Sequence, residues 1–226
     1  MKDLQGIRDK VMKIRNIIAS VAGVAILAII PNVQASLSIL TPGTGASPIG
    51  TDSIDSGATL IDTITSVFLP SVPPSGTPPG GTLTTKVYSN DPNNTLGGLS
   101  FEYILNVTDG GVDRLSLNGW QYNTSVGVAN ESGTDALLAN FLSDGSTVGF
   151  TWSTDLLTGD SSTVIIDSAL QGFSVATASL QDGGQATALT AAAVPVPEST
   201  TILAGVLLLL PLGASTLRIL RRNRIA

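Results

Sequence analysis

From Thr82 onward the hydrophobic positions recur at every second residue. Leu99, Phe101, Tyr103, Leu105 and Val107 alternate with Ser100, Glu102 and Asn106, and Ile104 is the one exception. Successive side chains of a strand point to opposite faces, so this pattern predicts a strand buried on one face. Shorter alternations follow at Leu83, Thr85 and Val87, at Leu115 and Leu117, at Val148, Phe150 and Trp152, at Val164 and Ile166, and at Phe173 and Val175. Between them stand Asp109-Gly110-Gly111, Asn118-Gly119, Ser143-Asp144-Gly145, Thr158-Gly159-Asp160 and Asp182-Gly183-Gly184, which are turn sequences. Short strands so regularly punctuated predict an all-β fold, an antiparallel β-sandwich, over residues 82–194. Its expected core contains Leu99, Phe101, Tyr103, Leu115, Leu117, Phe150, Trp152 and Ile166. From Thr134 to Leu142 the alternation lapses at Ala136, Leu137, Ala139, Asn140 and Phe141, which predicts a short helix.

Residues 36–81 have a different texture, rich in Ser, Thr, Gly and Pro. Ala58 to Leu69 is crowded with Thr, Ile and Val and predicts one strand. The cluster from Pro70 to Gly81 holds five prolines after Pro70 is counted with Pro73, Pro74, Pro78 and Pro79, and predicts an extended connector. After Ala186 the chain reads as a last strand and then a tether ending in Pro195-Val196-Pro197. The 162 residues from Ser36 to Pro197 are enough for one core that buries ~68% of the unfolded surface.

The two ends carry a different pattern, continuous apolar runs beside basic clusters. Lys2, Arg8, Lys10, Lys13 and Arg15 precede fourteen uncharged, mostly apolar residues, Ile17 to Ile30, and then Pro31 to Ser36. This is the layout of a secretory signal, with a run shorter than the ~20 residues that span a bilayer. Val33 and Ala35 supply the small residues at −3 and −1, so residues 1–35 are the expected signal peptide and Ser36 the expected mature N-terminus. Met12 also opens a complete signal of this kind. At the other end Ile202 to Leu217 are sixteen uncharged residues, ~24 Å at helical rise, expected to form a single transmembrane helix over about 201–217. Arg218, Arg221, Arg222 and Arg224 follow with no acid, which places the tail 218–226 in the cytoplasm and the body outside.

A short motif at 195–200, an apolar helix and an arginine cluster, on a chain with a signal peptide, resemble the PEP-CTERM sorting signal of Gram-negative bacteria over residues 195–226. Pro197 and Glu198 carry the motif, with Val196 before them, and Ser199 stands where the family has its second proline. The resemblance implies processing by signal peptidase and by an exosortase, a membrane-bound cysteine transpeptidase-like enzyme. It implies an inner-membrane-anchored precursor, then a protein of the cell surface or extracellular matrix exported alongside exopolysaccharide. Gly81-Thr82-Leu83, the Leu-x-Phe-x-Tyr strand and Gly159-Asp160-Ser161-Ser162 are also similar to ectodomains found on such proteins.

Composition narrows the chemistry. The chain has neither His nor Cys, which removes imidazole bases, Ser-His-Asp triads, thiolate nucleophiles, disulfides and Cys-based zinc sites. Residues 36–197 hold Lys86, Arg114 and fourteen acids, so their formal charge is 2 − 14 = −12, and nucleic acid is not an expected partner. No catalytic residue, cofactor or metal ligand is assigned, and the body is expected to be non-enzymatic. The carboxylate pairs Asp109/Asp113 and Asp155/Asp160 sit at turns, where Asp caps its own backbone. Turn acids also suit calcium, although the Asp-x-Asp-x-Asp-Gly loop is missing. Trp120, Tyr122 and Trp152 suggest sugar stacking, but each shares a strand face with apolar neighbours and is expected in the core. A carbohydrate- or calcium-binding surface module and a plain single-pass membrane protein are the alternative expectations.

Overall fold

The structure, a computed structural model, describes residues 37–47, 49–70 and 78–196. The cleavage residues Val33, Ala35 and Ser36, both terminal apolar runs, Pro197, Glu198 and Ser199, and the four terminal arginines lie outside the described residues. Within them the chain is all-β, and no helix is long and apolar enough to cross a membrane.

The strands form two seven-stranded sheets. The first runs β1 (Ser38–Leu40), β9 (Val126–Gly133), β12 (Ser161–Ser168), β7 (Ser100–Asp109), β6 (Gly80–Ser89) and β4 (Thr59–Val67), with β3 (Gly50–Thr51) also lying beside β9. The second runs β2 (Gly45–Ala46), β10 (Leu138–Phe141), β11 (Thr147–Leu157), β8 (Gly111–Asn118), β13 (Gly172–Asp182), β14 (Gly184–Val194) and β5 (Leu69–Pro70). Neighbours are antiparallel except for the short parallel contact of β3 with β9.

The period-two pattern sets the register. Phe101, Tyr103 and Leu105 on β7 stand opposite Val87, Thr85 and Leu83 on β6, and Phe101 and Tyr103 stand opposite Ile166 and Val164 on β12. Cross-strand partners share a face, so these rows turn to one side together. Their counterparts are Leu115 and Leu117 on β8, opposite Phe150 and Val148 on β11. All eight expected core residues are buried in one cluster with these rows. Two hydrogen bonds join the sheets through that core: Tyr103 Oη donates to Ala191 O at 2.8 Å, and the hydroxyls of Thr85 and Thr190 meet at 2.8 Å. Each satisfies a polar group that would otherwise be stranded in apolar surroundings. Along one side the chain passes from β4 to β5, from one sheet to the other, through buried Phe68. Its N–H donates to Gly81 O, and Gly81, at φ 149°, has no room for a Cβ between Asn106 and the Phe68 ring.

The helix expected at 134–142 is absent; residues Leu138–Phe141 are strand β10. Asn130 captures the preceding turn, its Oδ1 accepting from Ala136 N (2.9 Å) and its Nδ2 donating to Ala136 O (3.0 Å). The chain then pairs with β11 in register Leu138↔Thr151 to Phe141↔Val148, which buries Ala139 and Phe141. The backbone partners and core space at the edge of β11 outweigh the helix propensity of Ala and Leu. The short strands β1, β2, β3 and β5, and β9, carry too little alternation to be legible in sequence.

The core reading leads to a matched comparison. Phe101→Ala should destabilise the protein by about 3–5 kcal/mol in urea unfolding, while Leu157→Ala, at an exposed β11 position, should stay within about 0.5 kcal/mol. Equal effects of the two would contradict the assigned core face.

Candidate functional site

One open concavity follows from a turn with buried ends. Trp120, just past β8, is fully buried, and its ring meets Phe101 edge-on with centroids 5.3 Å apart and planes at 75°. Asn123, three residues on, is also buried; its N–H and Nδ2 donate to Trp120 O at 2.9 and 3.2 Å, and its Oδ1 accepts from Ser168 Oγ at 2.6 Å. With both ends fixed, the two residues between them are forced outward, and Tyr122 is 54% exposed. Its expected place in the core is thereby corrected: the turn resets the strand alternation that had grouped it with Trp120 and Val126. The other two aromatics are where the sequence pattern puts them, since Trp152 is buried and its Nε1 donates to Thr134 O at 3.0 Å.

Beside this turn β8 stops while β13 continues. The two strands pair only from Ala178↔Leu117 to Gln181↔Arg114, so Ser174 to Thr177 pair with β14 on one side and with no strand on the other among the described residues. Gly119 makes the departure possible, at φ 97°, where a Cβ would press on Ala192 and Ala176 at 3.0 and 3.1 Å. The result is a groove of about 650 Å³ lined by Gln121, Tyr122, Ser174, Val175 and Thr177, together with Asn118 and Pro195. Asn118 is tied in place, its Nδ2 donating to Thr177 O and Oγ1 at 3.2 and 3.3 Å and its Oδ1 accepting from Thr147 Oγ1 at 2.9 Å. No residue that lines the groove is charged.

The acids fall into three roles. Turn capping is the first: Asp109 Oδ1 accepts from Gly110 N, Asp160 Oδ2 from Leu157 N, and Asp144 from Ser146 N and Oγ, which together hold Asp144 below the ordinary carboxylate range. The second departs from the expected pairs. Asp113 has neither Asp109 nor Asp160 among the groups that shift it; burial first, then Asp182 and Asp155, raise its pKa.

The third role has no counterpart in the sequence reading. On the outer face of the first sheet Gly127, Asp167, Ser100 and Tyr88 form one cross-strand row, and Ala129, Ile165, Glu102 and Lys86 form the next. Lys86 pairs with Glu102 at 3.1 Å, and Tyr88 Oη donates to the same carboxylate at 2.8 Å. Loops over this face bond to each other and to the sheet: Asp55 N and Asn93 N donate to Asp91 Oδ1, Asn93 Nδ2 to Ser53 O, and Asn94 Nδ2 to Ser168 O. Asp167 is therefore fully buried, and neither carboxylate oxygen has a hydrogen-bond partner. Its pKa is pushed up to about 7, mainly by burial and further by Asp91 and Asp52. Among the described residues no group of three or more His, Cys, Asp or Glu could hold a metal ion.

Of the expected sorting residues only Val196 is described; it lies just past β14 and is 55% exposed. No protein-family model, no curated protein and no solved structure matches the chain.

Asp167 gives a signed pH dependence. Its folded pKa lies above its ordinary value near 4, so the folded chain holds a proton that the unfolded chain releases between pH ~4 and ~7. This contribution to stability is full below pH ~4, falls as pH rises through that window, and levels off above it. Asp167→Asn, neutral throughout, should raise the melting temperature at pH 8 by several degrees and change it little at pH 4. A variant that is equally destabilised at both pH values would contradict the assignment.

Proposed function

We propose that the chain is an exported protein of the cell surface or extracellular matrix, delivered by its N-terminal signal and sorted through its PEP-CTERM-like C-terminus, with a body that does no catalysis. The observation that carries the reading is the segregation of charge and hydropathy: basic clusters flank apolar runs at both ends, around a body of formal charge −12. The motif follows directly on the last strand, since β14 ends at Val194 and Pro197 is three residues on. A body joined so closely to a membrane helix would be held at the outer surface of the bilayer until it is released.

The absence of His and Cys from the sequence supports a non-enzymatic role. Of the two basic side chains in the body, Lys86 is engaged with Glu102, and Arg114 is half-buried in β8. A second reading, a surface that contacts carbohydrate, is favoured by the groove and by the exposure of Tyr122 beside it. Exposed rings grip sugars through their apolar faces, and amide and hydroxyl groups fix the orientation.

Processing supplies the test. N-terminal sequencing of the exported protein should begin at Ser36, and Glu198→Ala should leave the full-length chain in the membrane fraction. If wild type and variant fractionate alike with the arginine tail still attached, the chain is a single-pass membrane protein and the sorting reading fails.

A further inference from the structure

We infer that the groove between the Trp120 turn and the free edge of β13 binds a neutral polysaccharide, with Tyr122 as its stacking platform. This rests on the carbohydrate-contacting reading and adds to it the site and the class of polymer.

Three observations carry it. The first is rigidity. Trp120 and Asn123 are both buried, and the hydrogen bonds that Asn123 donates to Trp120 O and accepts from Ser168 Oγ fix the loop that presents Gln121 and Tyr122. A loop held in this way loses little backbone freedom on meeting a ligand, so a larger share of the contact energy appears as affinity. The second is the mixture of groups. Tyr122 and Val175, 54% and 65% exposed, offer apolar surface, while Gln121, Ser174 and Thr177 offer donors and acceptors along the same open trough. Pyranose rings present the matching combination of C–H faces and equatorial hydroxyls. An open trough at the side of the sheet suits a segment of a longer polymer, rather than a small molecule enclosed on all sides.

The third observation selects the class. No residue that lines the groove is charged, so nothing in it compensates a uronate or sulfate group. Around it the segment 36–197 carries 2 − 14 = −12 charges, a field that raises the free energy of any polyanion approaching the surface. A neutral glycan meets neither cost.

Calorimetric titration of the full-length chain in a detergent without a sugar headgroup tests the inference, with cellohexaose and laminarihexaose as neutral probes and hexagalacturonate as the acidic one. Saturable binding of a neutral probe is expected, with hexagalacturonate at least tenfold weaker at low salt. Tyr122→Ala should weaken the neutral probe about tenfold and Tyr122→Phe should retain it, because stacking needs the ring and not the hydroxyl. Val175→Asp should weaken it independently, and thermal melts check that each variant is folded. Tighter binding of hexagalacturonate would overturn the neutral class while leaving the carbohydrate-contacting reading in place. Neutral binding that is indifferent to both Tyr122→Ala and Val175→Asp would overturn the site. If none of the three probes binds, the carbohydrate-contacting reading fails and the inference fails with it.

Discussion

The buried indole of Trp120 is the contact that joins the core of this protein to its surface. It stands against Phe101, in the centre of the first sheet, although it belongs to the end of a strand in the second. Its Nε1 has no hydrogen-bond partner, a cost of about 1–3 kcal/mol for a buried donor that the apolar area of the ring offsets. Because the ring is fixed, the turn that follows is fixed, and with it the place where β8 parts from β13. Loosening this one contact would therefore disturb the packing between the sheets and the shape of the groove together.

The two faces of the first sheet solve different problems. Its inner face is apolar and meets the second sheet, with Tyr103 and Thr85 making the two polar bonds across the core. Its outer face carries Asp167, Glu102 and Tyr88 under loops that bring Asp52 and Asp91 close to them. Acids collected under cover are a reservoir of strain, relieved in part by proton uptake at Asp167 and in part by Lys86. Asp52, Glu131 and Asp113 are all shifted in the same direction, with burial as the leading cause. For these groups the folded state gains relative stability as the pH falls toward the ordinary carboxylate range.

Legibility from sequence followed physical cause. Where one face of a strand is buried, the alternation is explicit, and Leu99 to Val107 could be placed to within two residues of the observed Ser100–Asp109. The turn sequences were equally plain, because backbone geometry restricts which residues serve there. Tyr122 could not be placed, since a turn erases the periodicity on which the face assignment depends; the Asn-Gly pair just before it was the available signal. The Ala- and Leu-rich segment before Phe141 was misread because its strand form is imposed by Asn130 and by the edge of β11, which lie outside any local window. The charges around Asp167 were invisible for the same reason, as Asp52, Asp91 and Asp167 are brought together by folding alone.

The groove is held open by the buried ends of the Trp120 turn, and amide hydrogen exchange of the full-length chain tests this most directly. Residues 178–181 of β13, paired on both sides, should exchange slowly together with β7 and β8, whereas amides of 174–177 that point away from β14 should exchange much faster. Protection of 174–177 equal to that of 178–181 would mean that the edge is covered and the groove is not an available surface, contradicting the account.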